Sequence, residues 1–141
     1  MRESSQIVFE PVVLIVNVEP HFGAALARHL GERGWRARHV PRAREALAHC
    51  GEVRPRWVVT GFDDGDLDSL EFLAGLSAFP GRRPAVLVCA PLASLEVLGP
   101  QARRLLGIDA VRLRPCRFEA IEEALGTIAA AAEVERTASA S

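Results

Sequence analysis

The sequence predicts an α/β domain built on a doubly wound, five-stranded parallel sheet, and three observations carry that prediction. Apolar runs such as Val12–Val16 and Pro84–Cys89 have the length and β-branched character of strands covered on both faces. Longer segments between the runs carry apolar residues at helical spacing. Strand and helix alternate five times with single-helix crossovers, and the right-handed crossover rule then puts helices on both faces of the sheet.

Taken in order, residues 1–10 read as a polar lead-in, 11–133 as the domain and 134–141 as a flexible tail. After the first strand, Pro20 opens a helix to Arg33, with Phe22, Leu26 and Leu30 on one face and a glycine stop. Trp35–Val40 alternates as a second strand, and Pro41 starts a helix closed by Gly51. Pro55–Thr60 is the third strand, running into the acidic loop Gly61–Asp68. Ser69 is expected to cap the next helix, with Leu70, Leu73 and Leu76 toward the core and Pro80-Gly81 at its end. The fourth strand is followed by a helical segment, residues 90–106, broken by Gly99-Pro100. Asp109–Leu113 is the fifth strand, and the last helix runs from Arg117 to about Glu135.

Bulk properties narrow the function. The 141 residues, 49% of them apolar, suffice for one core and leave no room for a second domain. A net charge of −1 with both signs interspersed gives no basis for direct nucleic-acid or membrane binding. No apolar run approaches the roughly 20 residues that span a bilayer. Three cysteines without metal-ligand spacing, behind a start without an apolar signal core, suggest a reducing cytoplasm. The four histidines share no helix face and form no ligand set, and the acidic loop lacks the ligand spacing of a calcium loop.

In an open α/β sheet, function is sought at the carboxyl ends of the strands. Here those ends carry Asn17-Val18-Glu19, Gly61, Cys89 and Arg114-Pro115. Leu14-Ile15-Val16-Asn17-Val18-Glu19-Pro20 resembles the motif Ile-Val-Asp-Asp-Glu-Pro, and Pro55–Gly61 resembles Pro-Asp-Leu-Val-Leu-Leu-Asp. Glu45-Ala46-Leu47, Asp68-Ser69-Leu70-Glu71, Pro84–Ala90 and Gly107–Pro115 continue the same series, and together they resemble the response-regulator receiver domains from about Val12 to Ala130.

The resemblance implies a flavodoxin-like receiver fold whose chemistry is phosphoryl transfer to an aspartate, with Mg²⁺ on that aspartate and an acidic pair. This chain departs from the pattern at each required position. Asn17 and Val18 replace the acidic pair, Gly61 the acceptor, Cys89 the hydroxyl residue and Arg114 the lysine, while Val111 replaces the switch aromatic. Gly61 offers no nucleophile and Val18 no oxygen for a hard cation.

The expectation is therefore a degenerate receiver, or pseudo-receiver, in two-component or phosphorelay signal transduction. It would have no catalytic residue, no metal and no cofactor, and would act by protein–protein interaction. The candidate contact surface is Arg103, Arg104, Val111, Arg112, Glu119, Glu122 and Glu123, with the three glutamates on the outer face of the last helix. A protein partner of a signalling pathway or a second copy of the chain would dock there. Two other readings stay open, a receiver phosphorylated on Asp63 and a small-ligand or nucleotide-binding module. Two pairings also stay open. Arg114 is either ion-paired with Glu19 or solvated, and Cys89 with Cys116 is either a redox pair or two small apolar side chains.

Overall fold

The computed structural model describes residues 10–16, 18–52, 54–63, 67–79 and 83–128. Five strands alternate with helices: β1 (Glu10–Val16), α1 (Pro20–Glu32), β2 (Arg36–Val40), α2 (Ala43–Glu52), β3 (Pro55–Gly61), α3 (Leu67–Ala78), β4 (Ala85–Ala90), α4 (Leu92–Val97), α5 (Pro100–Leu106), β5 (Ala110–Leu113) and α6 over 118–128. All ladders are parallel, in the order β2-β1-β3-β4-β5. From β1 the chain winds out to β2, then returns past β1 to β3, β4 and β5. Its direction reverses between β1 and β3, which opens a crevice at the carboxyl ends of the strands.

The apolar runs are buried because alternate side chains enter two separate layers. Leu14, Val16, Val58, Val86, Val88 and Ala90 pack with Ala46, Phe72, Leu73 and Leu76 beneath α2 and α3. Val13, Ile15, Trp57, Val59, Leu87 and Cys89 pack with Leu26, Leu30, Ile121 and Leu125 beneath α1 and α6. The edge strands β2 and β5 are only half-buried.

Boundaries move where backbone pairing outruns the apolar pattern. β1 begins at Glu10, because its ladder with β3 reaches Pro55 through an irregularity before Val13. β5 begins at Ala110, since Asp109 uses its side chain: Val86 N–H donates to Asp109 Oδ2 at 2.8 Å and Asp109 N–H to Val86 O at 2.9 Å. As expected, Gly99-Pro100 breaks the fourth crossover, with Gly99 capping α5 and Pro100 in its first turn. Gly107 ends α5 at φ 73°, where Ile108 N–H reaches back to Arg103 O at 2.9 Å; only glycine takes this left-handed turn without steric cost.

Helix α3 corrects two expectations. It starts at Leu67, so Ser69 lies inside it rather than capping it. The buried positions are Ser69, Phe72, Leu73 and Leu76, spaced i, i+3, i+4 and i+7, and Leu70 is 37% exposed instead of facing the core. The expected stop at Pro80-Gly81, the lead-in before residue 10, and the last helix and tail beyond residue 128 lie outside the described residues.

Candidate functional site

The site is assembled from the carboxyl ends of β1, β4 and β5 and the first turn of α1. Pro20 fixes the entry to α1, and Glu19 before it caps the helix. The Glu19 carboxylate accepts the His21 N–H at 3.1 Å and the Phe22 N–H at 2.9 Å, with His21 Nδ1 at 3.0 Å. The His21 backbone N–H, then its ring and the Phe22 N–H, hold this carboxyl below its ordinary range.

Next to this cap is a cavity of about 300 Å³ lined by Val18, Glu19, Phe22, Cys89, Arg114, Pro115 and Cys116. Five of the seven expected pocket residues meet there. Asn17 lies outside the described residues. Gly61 ends β3 in register with Cys89 but does not line the cavity; its carbonyl accepts the Ser69 and Thr60 hydroxyls, each at 3.2 Å. Phe22 and Cys116 complete the lining. Phe22 was legible as the residue one helical turn beyond Glu19, and Cys116 as the thiol two residues beyond Arg114.

Arg114 does not pair with Glu19. Its Nη2 donates to Asp63 Oδ1 at 2.5 Å, because the chain leaving β3 carries Asp63 toward the end of β5 while Glu19 is committed to the α1 backbone. Arg114 and Pro115 are joined by a cis peptide bond. Cys116 donates to Leu113 O at 3.1 Å, and the Cys89 and Cys116 side chains are neighbours in the cavity wall and the same apolar layer. That contact and burial push the Cys89 thiol well up; the same contact, with Arg114 and Arg112 nearby, brings Cys116 down to about 7. All three cysteines are free thiols.

These residues do not fit Mg²⁺. Val18 and Gly61 present no side-chain oxygen, Asp63 is held by Arg114 and Glu19 by helix N–H groups. Among the described residues, no group of three His, Cys, Asp or Glu is arranged to hold a metal ion.

The expected contact surface divides. Arg104, Glu119 and Glu123 are exposed, and Arg103 is half-buried with its Nε donating to Leu98 O at 2.7 Å. Val111 packs on the α2/α3 layer, while Arg112, the next residue of the strand, points to the opposite face. Glu122 does not lie on the outer face: it faces α1, accepting Trp35 Nε1 at 2.9 Å and Arg33 Nε at 2.6 Å. Sequence reasoning missed a different exposed set in the crossover from β4 and in β5, namely Leu92 and Val97 of α4, Leu105 of α5 and Leu113 of β5, each more than half exposed.

No helix among the described residues is long and apolar enough to cross a membrane. No protein-family model matches the chain, and no curated protein does. Solved structures do. A CheY-like response regulator receiver domain from Methylobacillus flagellatus superposes with a TM-score of 0.69 at 20% identity, covering 83% of this chain and 97% of that one. The signal receiver domain of a putative Luxo repressor protein from Vibrio parahaemolyticus gives 0.73 at 14% identity, covering 92% and 97%. A Burkholderia pseudomallei response regulator, solved with a phosphorylated aspartic acid, a calcium ion and citrate, gives 0.67 at 24% identity, covering 90% and 73%. The sheet order, the two helical layers and these superpositions agree: the chain has the flavodoxin-like receiver fold of two-component response regulators.

Proposed function

We propose that this chain is a pseudo-receiver, a non-enzymatic signalling module that is not phosphorylated and works by protein–protein contact. Gly61 carries the reading: it ends β3 beside Cys89, where the receiver pattern requires an aspartate, and its carbonyl is already bonded to Ser69. A residue without a side chain cannot accept a phosphoryl group. The contact face favoured is α4, α5 and β5, where Leu92, Val97, Leu105 and Leu113 expose apolar surface close in sequence to Arg104. Large apolar side chains left exposed on neighbouring elements of the chain, with an arginine among them, suit a protein interface.

A partner captured by the wild-type chain from its own cell extract should be lost on Leu105→Asp with Arg104→Ala and kept on Glu123→Ala. Retention by the double variant would move the interface elsewhere. A second reading, a small-ligand module, is favoured by the cavity of about 300 Å³ with Arg114 in its wall. A thermal-shift screen of nucleotides and organic anions separates the two, since only the ligand module gains stability there.

A further inference from the structure

We propose that Cys89 and Cys116 form a modification site for hydroperoxides, in which Cys116 is oxidised first and Cys89 then closes an intramolecular disulfide in the cavity wall. The two thiols come from the carboxyl end of β4 and the turn after β5, line one cavity and belong to the same packed layer beneath α1 and α6. Their accessibility differs. Cys89 is 2% exposed, whereas Cys116 is only half-buried, so a small oxidant meets Cys116 first.

The surroundings assign the roles. Cys116 faces the Cys89 S–H, the Arg114 and Arg112 guanidinium groups and the Leu113 carbonyl, with Glu19 across the cavity. The neighbouring Cys89 thiol and the two cations favour a thiolate at Cys116; burial favours the neutral thiol and is outweighed, leaving Cys116 at about 7. Cys50, buried on the inner face of α2 and pushed up to about 12 by desolvation, serves as an internal reference.

In the first step the Cys116 thiolate attacks the outer oxygen of the hydroperoxide. The O–O bond breaks, Cys116 becomes a sulfenic acid, and the departing alkoxide takes up a proton to leave as the alcohol. In the second step the Cys89 sulfur attacks the Cys116 sulfur, the S–O bond breaks, and the released hydroxide takes the Cys89 proton to leave as water. Two thiols and one hydroperoxide thus give one disulfide, one alcohol and one water. The sulfur pair loses the two electrons that reduce the O–O bond.

The test is hydrogen peroxide added to the reduced full chain, followed by thiol counting and non-reducing peptide mapping. The expected result is a fall from three free thiols to one, loss of two hydrogen atoms in mass, and a Cys89–Cys116 cross-linked peptide from the monomer. Cys116→Ser should keep its remaining thiols, and Cys89→Ala should accumulate a sulfenic acid that dimedone traps at Cys116. In the wild type, which needs no variant to fold, alkylation of Cys116 by iodoacetamide should outpace Cys50 by at least about tenfold at pH 7 and rise through an inflection near pH 7. Three intact thiols, oxidation of Cys116 without the cross-link, a cross-link between chains, or alkylation at the rate of Cys50 would each overturn the proposal.

Discussion

Arg114 Nη2 donates to Asp63 Oδ1 at 2.5 Å, tying the exposed carboxylate beyond β3 to the cation at the end of β5. On the proposed pseudo-receiver reading, Asp63 is the carboxylate that would have to serve in place of an acceptor at Gly61, and this pair engages it. Acetyl phosphate with Mg²⁺ should therefore leave the intact mass unchanged. A phosphoryl adduct that disappears on Asp63→Ala would refute the pseudo-receiver reading. Because the side chains are 35% and 60% exposed, Asp63→Asn should cost less than about 1 kcal/mol.

Mg²⁺ should not stabilise the fold. In an acidic pocket, two carboxylates about 4 Å apart repel by about 4 kcal/mol at an effective dielectric near 20, and the metal relieves that repulsion. Val18 and Gly61 remove both its source and its remedy. Millimolar Mg²⁺ is expected to leave Tm where it was, and a clear upward shift would reveal a cation site.

Glu122 should make stability depend on acid pH. Arg33, then Trp35, holds its carboxyl below the ordinary value, so the folded state binds a proton less readily than the unfolded chain. The contribution is present in full above about pH 4.5 and is lost as the pH falls through the lowered folded-state value. Glu122→Gln should lower Tm at pH 7 and converge on wild type once the pH has fallen below the lowered folded-state value. Parallel melting curves with a constant gap would contradict the assignment.

Gly23 provides a packing test. It is buried in α1, and a Cβ built there would lie 2.3 Å from His39 Nε2 on β2. Alanine gains about 1 kcal/mol in helix propensity but must displace the ring, and overpacking typically costs about 1–3 kcal/mol. Net destabilisation of about 1 kcal/mol is expected by urea unfolding. In a His39→Ala background the same change should be neutral or stabilising, and additive effects would exclude the clash.

The two-layer sheet was legible because Val13 to Val16 and Val86 to Val88 must be covered on both sides wherever they lie. Helix α3 was less so: with leucines all round, periodicity did not separate Leu70 from Leu73, and Ser69 proved to head the buried face. In the site, the strand-end residues could be placed from order and spacing. Their partners could not, since Asp63 meets Arg114 across 51 positions and Trp35 meets Glu122 across 87. Contacts at such separation are set by how helices dock on the sheet, and no local pattern encodes them.

Leu113 joins the proposed contact face to the thiol pair. Its side chain is 52% exposed on the proposed contact face, while its carbonyl receives the Cys116 thiol. A partner that seats on Leu113 therefore grips the same peptide unit that orients the reactive sulfur. By linkage the influence runs both ways: complex formation should alter the alkylation rate of Cys116, and the oxidised chain should bind its partner with a different affinity.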